Sequence, residues 1–179
     1  MTILTIDTET QGLNTNNWIM GAVCNKNYKV KTYRNKKEFW QYLNEQAEKH
    51  RIRKKTLLIY AHNMLYDYNV IKIGNPKNHF QYANNPFIVD VKDNNGRIYC
   101  KYLTTTSLWR SSLAEMGKAL NYPKTPTPEW LKQDQYNPTE KELQEAEQYM
   151  IQDTKILMKY LQEIRTRLQK HHICLVIGL

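Results

Sequence analysis

The strand predicted over Thr2–Thr10 limits the possible folds of this chain more strongly than any later segment. It is an alternating apolar run that ends in two carboxylates, Asp7 and Glu9, spaced two residues apart. Because successive side chains of a β-strand point to opposite faces, these two carboxylates share one face. Neighbouring anions raise each other's pKa unless a cation lies between them. The pair therefore indicates metal ligands, and a strand that ends in a polar turn is the alternative.

The next segments predict an antiparallel meander that continues into an α/β arrangement. Two strands, Trp18–Cys24 and Tyr28–Tyr33, flank a short polar turn. A helix capped by Asn35 follows, and then Thr56–Ala61, a continuous apolar run typical of a buried central strand. The polar segment Ala61–Asp67 predicts a strand-to-helix junction. Sites in open α/β sheets lie beyond the carboxyl ends of the strands, so function is expected there.

The segments after this junction predict a hairpin and a helix, followed by a semi-rigid loop. Residues Asn75–Asn85 are interpreted as a polar linker, and Phe87–Val91 with Arg97–Leu103 as a hairpin. A helix over Ser111–Leu120, with Ser111 or Ser112 as its cap, precedes the loop Tyr122–Pro128, whose three prolines exclude regular structure.

The last long helix is predicted to begin at Thr139. Tyr149 and Asp153 lie one turn apart on it, so their side chains point the same way. A core tyrosine and a solvated carboxylate are the alternatives for these two residues. The apolar tail 171–179 follows the helix, so we take residues 1–170 as one domain.

Composition favours a globular protein with a polyanionic partner. Hydrophobic residues make up 41% of the 179 residues and charged residues 24%. No apolar run approaches the length of a membrane span, so we expect no membrane partner. The three scattered cysteines indicate neither disulfides nor a zinc finger, and we expect a cytoplasmic protein. The net charge of +9 favours nucleic acid, and a solvated basic surface is the alternative.

Three motifs occur in order along the chain: Asp7-x-Glu9, Asn63-x-x-Tyr66-Asp67 and Tyr149-x-x-x-Asp153. In this ordered set the chain resembles the DnaQ-like, or DEDD, superfamily of 3′-5′ exonucleases. A tyrosine four residues before the last aspartate marks the DEDDy branch. The resemblance implies an α/β, RNase H-like and DnaQ-like exonuclease fold, with a mixed central sheet flanked by helices.

Within that branch, Ala61–Asp67 is similar to the second exonuclease motif of family B DNA polymerases. The segment Ser107–Leu120 is similar to the helix that precedes the last motif in the protein-primed polymerases of linear plasmids and viruses. The resemblance covers about residues 2–165 and includes no polymerase domain. It implies a free-standing exonuclease or an excised or split proofreading domain, with a polymerase or another replication protein as a candidate partner. For a viral protein, the compartment would be the host cytoplasm.

The resemblance assigns the four acids to metal binding. Asp7, Glu9 and Asp153 would hold the cation that activates water, while Asp7 bridges to a second cation that Asp67 supports. Hard oxygen ligands without sulfur favour two Mg²⁺ or Mn²⁺ ions. A carboxylate that complements the helix dipole is the alternative for Asp67. Tyr149, with an ordinary pKa of about 10, is a poor base and is expected to orient the attacking water.

Further residues match family positions that contact nucleic acid. Thr10, Asn63 and Tyr66 match positions at the single-stranded 3′ end, and simple packing is the alternative for Tyr66. Lys124 is the nearest candidate for a lysine that neutralises the scissile phosphate. Thr127 departs from the family pattern, which has an apolar residue three positions after the lysine. A surface lysine in a loop is therefore the alternative for Lys124.

Together these features predict a metal-dependent 3′-5′ exonuclease that acts on single-stranded DNA. An exoribonuclease of the same superfamily is one alternative, because contacts to the 2′-hydroxyl distinguish RNA from DNA and the sequence identifies none. A non-catalytic nucleic-acid-binding module is the other. Four clustered carboxylates argue against that module, because a protein that only binds a polyanion gains nothing from anions facing it.

Overall fold

The computed structural model describes residues 2–12, 17–84, 86–106 and 110–170. Within these ranges one mixed sheet contains seven strands: β1 (Thr2–Gln11), β2 (Asn17–Asn25), β3 (Val30–Tyr33), β4 (Leu57–Ala61), β5 (His79–Asn84), β6 (Phe87–Lys92) and β7 (Ile98–Thr104). Their order across the sheet is β3-β2-β1-β4-β7-β6-β5. The central strands β1, β4 and β7 are parallel, and the outer strands on both sides pair antiparallel.

The helices of the described ranges flank this sheet: α1 (Lys36–Ile52), α2 (Met64–Ile71), α3 (Leu113–Ala119) and α4 (Glu140–Lys170). A 3₁₀ turn, Glu129–Lys132, precedes α4. The predicted α/β fold with a mixed central sheet flanked by helices is therefore confirmed. No helix in these ranges is both long and apolar enough to cross a lipid bilayer.

Each face of the sheet is covered by a different pair of helices. On one face, α1 and α2 pack over a core that includes Ile6, Phe39, Ile59, Ile71 and Tyr102. On the other face, α3 and α4 cover a core that includes Ile3, Leu58, Tyr60, Met116 and Leu157. The continuous apolar run of β4 contributes to both cores, which explains why it lacks the alternation of an edge strand.

Side-chain caps begin three of the helices where the sequence predicts them. The Asn35 side chain accepts two backbone N–H hydrogen bonds from the first turn of α1. Ser112 and Glu115 form a capping box at the start of α3. Thr139 and Glu142 make the same reciprocal pair of hydrogen bonds before α4. These starts are local, because each cap bonds to residues within one turn of itself.

The predicted linker Asn75–Asn85 is wrong in part, because it contains the edge strand β5. This strand pairs antiparallel with β6, and pairing of this kind depends on the partner more than on local propensity. The predicted strand Tyr28–Tyr33 begins only at Val30, because Tyr28 adopts a left-handed φ of 59° in the preceding turn. The resemblance at 107–108 and the predicted tail 171–179 fall outside the described residues.

Candidate active site

Three elements bring four carboxylates together at the carboxyl edge of the central strands. Asp7 and Glu9 lie near the end of β1, and Asp67 lies in the first turn of α2, directly after β4. Because β1 and β4 are parallel, their carboxyl ends meet at the same edge. Asp153 reaches this edge from α4, where its charge adds to burial and to the charge of Glu9 in raising the pKa of Asp7. The structure therefore clusters the four acids that the sequence predicts.

A buried hydrogen bond holds α4 against β1 beside this cluster. The Thr5 hydroxyl donates to the backbone carbonyl of Thr154 at 2.8 Å, and both residues are fully buried. Thr154 follows Asp153 directly in the chain. The bond therefore fixes the position of Asp153 along β1, and sequence patterns alone did not single out either threonine.

Burial and mutual repulsion make full ionisation of the four acids unfavourable. Burial raises the pKa of Asp7 well above its usual range, and the charges of its three neighbours raise it further. Burial likewise raises the pKa of Glu9 to about 8, with Asp153 and Asp67 adding to the effect. Burial raises the pKa of Asp67 to about 7, although the Thr8 hydroxyl donates to its Oδ1 at 2.7 Å. A bound cation would favour the ionised forms and reverse these shifts.

Lys124, from the proline-rich loop, extends its ammonium into the cluster. The ammonium donates hydrogen bonds to the Tyr149 hydroxyl, at 2.6 Å, and to Oδ2 of Asp153. It also lies 4.2 Å from the centroid of the Tyr149 ring. Burial raises the pKa of Asp153, and the charge of Lys124 opposes that rise. Lys124, Tyr149 and Asp153 therefore form one hydrogen-bonded group.

Close packing against α3 and α4 holds the loop that carries this lysine. The Tyr122 N–H donates to the carbonyl of Gly117 at 2.8 Å, and the Gln152 side chain donates to the carbonyl of Pro123. A Cβ atom at Gly117 would lie 2.6 Å from the Tyr122 carbonyl oxygen and 3.1 Å from the Lys124 backbone nitrogen. Gly117 therefore permits a backbone approach that a side chain would prevent.

Thr127 contacts the Tyr149 hydroxyl, and the sequence interpretation did not foresee this contact. The Thr127 Oγ1 lies 3.1 Å from that hydroxyl, and either group can donate. The pKa of Tyr149 is raised, first by burial and then by the charge of Asp153, so its hydroxyl stays protonated at neutral pH. One sequence feature could have indicated this contact: Thr127 carries a hydroxyl at a position where the family pattern has an apolar residue.

The predicted nucleic-acid residues lie at the same edge. The Thr10 Oγ1 and the Tyr66 hydroxyl are 2.6 Å apart and connect the end of β1 to α2. The Tyr66 side chain is still 39% exposed. Asn63 is exposed at the N-cap of α2, and its side chain makes no capping hydrogen bond. The Asn63 amide and the Tyr66 ring can therefore contact a bound molecule.

The donor chemistry of the cluster fits hard divalent cations. Oδ2 of Asp7 and Oδ1 of Asp153 are buried and accept no hydrogen bond from the described residues. Such orphaned oxygens are costly, and Mg²⁺ or Mn²⁺ would satisfy them. Among the described residues, no group of three or more His, Cys, Asp or Glu side chains is already arranged to coordinate a metal ion. The Lys124 ammonium instead contacts the remaining oxygen of Asp153.

Solved structures of phi29 DNA polymerase share this fold. The complex with primer-template DNA and incoming nucleotide substrates has a TM-score of 0.68 and 11% identity, over 93% of this chain and 31% of the polymerase chain. The complex with single-stranded DNA has a TM-score of 0.62 and 11% identity, over 94% and 32%. No protein-family model matches the sequence, and no curated protein sequence matches it significantly. The chain thus spans about a third of these polymerase chains, and the likeness confirms the predicted RNase H-like α/β fold.

Proposed function

We propose that the chain is a metal-dependent 3′-5′ exonuclease that hydrolyses the phosphodiester bonds of single-stranded DNA. The main support is the convergence of four buried or half-buried carboxylates with Lys124 and Tyr149 at one sheet edge. The likeness in fold to a DNA polymerase complexed with single-stranded DNA supports a DNA substrate. The net charge of +9 supports a polyanion as the partner.

The four acids would hold two Mg²⁺ or Mn²⁺ ions: Asp7, Glu9, Asp67 and Asp153. Such ions, when bound, supply an activated water and stabilise the leaving 3′ oxygen. The raised pKa values support this assignment, because the cluster is costly to ionise without a cation. A protein that only bound nucleic acid would gain nothing from this arrangement.

Lys124 and Tyr149 would act on the phosphate and on the water, respectively. The Lys124 ammonium can neutralise charge that develops on the scissile phosphate. The Tyr149 hydroxyl, held by Lys124 and Thr127, can orient the attacking water. Its raised pKa argues against a role as general base. Groups that are already positioned in this way need little reorganisation during the reaction.

Thr10, Asn63 and Tyr66 would hold the 3′-terminal nucleotides. The Thr10 hydrogen bond orients the Tyr66 side chain, whose exposed ring can stack on a base. The Asn63 amide can bond to a base or to the sugar-phosphate backbone. A paired end must first unstack, at a cost of about a few kcal/mol, so an unpaired strand is the expected substrate.

The likeness in fold to a DNA polymerase complexed with primer-template DNA supports a partner that acts in DNA replication. A polymerase or another replication protein is the class of partner expected. The exonuclease would then act on the 3′ ends that the partner extends.

The test is cleavage of 5′-labelled single-stranded DNA and RNA of the same sequence, with Mg²⁺, Mn²⁺ or EDTA. We expect stepwise shortening of the DNA from its 3′ end with either metal and none in EDTA. Asp7→Asn should abolish cleavage in a folded protein, whereas the exposed control Asp134→Asn should not. Wild-type cleavage by Asp7→Asn would refute the site, and a preference for RNA would favour the exoribonuclease alternative.

A further inference from the structure

The edge strand β5 exposes two aromatic side chains on the surface of the sheet. Phe80 is 45% exposed and Tyr82 is 57% exposed, which makes them the most exposed aromatic residues in the described ranges. The Lys92 ammonium lies 5.0 Å from the centroid of the Phe80 ring and 5.1 Å from that of Tyr82. We call these three residues the aromatic patch. Exposed apolar groups that lie together mark interaction sites more often than isolated ones do.

The aromatic patch lies on the same face of the sheet as Asp7 and Glu9. Directly paired residues share a face, and one row of such pairs crosses the sheet from β5 to β1: Phe80, Asp90, Lys101, Leu58 and Ile3. Asp7 is four residues beyond Ile3 on β1, so its side chain points to this face as well. The patch therefore lies on the face of the sheet to which Asp7 and Glu9 point.

The patch also lies toward the edge of that face at which Asp7 and Glu9 are found. β5 is antiparallel to β6, and β6 is antiparallel to β7, so β5 runs in the direction of β1. Tyr82 is near the carboxyl end of β5, and the acids are near the carboxyl end of β1. Four strand spacings separate the two strands, which is roughly 19 Å at about 4.8 Å each.

The charge of the patch favours an anionic occupant. Lys101, on the same row of the sheet, forms an ion pair with Asp90 at 3.1 Å. Among the described residues, no carboxylate forms an ion pair with Lys92, whose ammonium lies beside the two rings instead. Aromatic rings beside such a cation suit the bases and phosphates of a single strand, because every base has a face that can stack. A net charge of +9 adds attraction over a longer range.

We propose that the aromatic patch is a platform on which the bases of a single-stranded nucleic acid stack while its 3′ end occupies the carboxylate site. The proposal rests on the proposed function for the direction of the strand. Phe80 and Tyr82 each receive a base, and Lys92 contacts a phosphate. A stacked strand that rises about 3.4 Å per nucleotide needs roughly six nucleotides to reach the patch from the acids. The platform therefore contributes to the binding of long strands and not to that of a dinucleotide.

The test compares a labelled strand of about 15 nucleotides with a dinucleotide, in the full chain. Binding of the longer strand is measured by fluorescence anisotropy in EDTA, which keeps it uncut. Phe80→Ala combined with Tyr82→Ala removes both stacking rings and should weaken this binding by roughly 30-fold or more. Lys92→Ala should reduce the slope of log affinity against log salt by about 0.7. Ile52→Ala, which alters another exposed apolar residue, should leave both quantities unchanged.

Two further measurements separate the platform from the exonuclease. Phe80→Tyr keeps an aromatic ring and should retain the wild-type affinity, which a nonspecific effect on folding would not predict. Cleavage of the dinucleotide should be equal in the wild type and in the double alanine variant. If the wild type cleaves nothing but the double variant still binds the longer strand more weakly, the exonuclease proposal fails and the platform stands. If the double variant binds the longer strand as tightly as the wild type does, the platform is refuted. Loss of binding to a protein partner that adds a strand at β5 would then identify that partner as the occupant of the patch.

Discussion

The Lys124 ammonium donates a hydrogen bond of 2.6 Å to the Tyr149 hydroxyl and another to the Asp153 carboxylate. A single loop lysine therefore contacts both a proposed metal ligand and the group proposed to orient water. Its side chain is only 20% exposed, so solvent screens these contacts less than it would at the surface. Metal binding at Asp153 and the position of Tyr149 are expected to depend on each other through this lysine.

Lys124→Ala should strengthen the binding of divalent cations and at the same time slow cleavage. Removing a positive charge beside Asp153 leaves the carboxylates more attractive to metal. It also removes the charge that would neutralise the phosphate, and the loss of one positioned group costs roughly 10²- to 10³-fold in rate. Calorimetric titration with Mn²⁺ and single-turnover cleavage measure the two effects. Lys132→Ala, at an exposed lysine, is the control, and weaker metal binding by Lys124→Ala would contradict the assignment.

The metal-free protein should lose stability as the pH rises toward and through the pKa values of the cluster. An acid whose pKa is raised by folding stabilises the protein below its unfolded pKa of about 4, and that contribution is lost as the pH rises through the folded value. The folded values are about 7 for Asp67 and about 8 for Glu9. Burial lowers the pKa values of the half-buried histidines His62 and His79. Their contribution to stability is therefore lost as the pH falls below about 6.5, which is the opposite dependence.

The informative window therefore begins at about pH 6.5, the ordinary pKa of histidine, and extends to about pH 8. In EDTA the melting temperature should fall across this window, and Mg²⁺ should reduce the fall because it favours the ionised acids. Asp7→Asn should also reduce the fall of the melting temperature with pH, because it removes one of the repelling carboxylates. A melting temperature that rises with pH in EDTA would show that the cluster is not held as described.

Tyr149→Phe and Asp153→Ala should differ in their response to Mn²⁺. Tyr149→Phe keeps the ring and removes the hydroxyl, so cleavage should fall by roughly 10²- to 10³-fold at any metal concentration. Asp153→Ala removes a proposed metal ligand and should lose more activity, but high Mn²⁺ should partly restore it by mass action. Single-turnover rates across a Mn²⁺ titration distinguish the two. Equal rates for Tyr149→Phe and the wild type would leave Tyr149 as a core residue only.

Thr127→Val should slow cleavage only while the Tyr149 hydroxyl is present. The change removes one hydrogen-bonding group at nearly constant shape, and such bonds contribute about 0.5–1.5 kcal/mol. We therefore expect a loss of roughly two- to tenfold in rate, and Thr127→Ser should retain most of the activity. In the Tyr149→Phe background the same change should have no further effect, as a double-mutant cycle would show. Additive losses would mean that Thr127 does not act through Tyr149.

Gly117→Ala should destabilise the protein, although such a change usually stabilises a helix by about 0.8–1 kcal/mol. The new Cβ would lie 2.6 Å from the Tyr122 carbonyl oxygen, so the Lys124 loop must move. Thermal melting and cleavage rate should both fall. Lys118→Ala, at the next and exposed position of α3, should change neither by much. An increase in melting temperature for Gly117→Ala would show that the loop can retreat freely.

Most of the helices and strands could be predicted from the sequence, because their signals are local. The caps Asn35 and Ser112 bond to backbone within one turn, so their residue types are sufficient to predict the helix starts. The shared face of Asp7 and Glu9 follows from the two-residue period of a strand. The spacing of Tyr149 and Asp153 follows in the same way from the helical turn.

The order of the strands, the pairing of β5 and the contacts of the proline-rich loop emerge only when the domain is packed. They depend on residues far apart in the chain: Lys124 meets Asp153 across 29 positions, and Thr8 meets Asp67 across 59. The raised pKa values of the acids are likewise a property of the assembled cluster, because burial and repulsion exist only once β1, α2 and α4 have packed. A local pattern cannot encode such contacts, since each depends on the free energy of packing the whole domain rather than on the conformation of one segment.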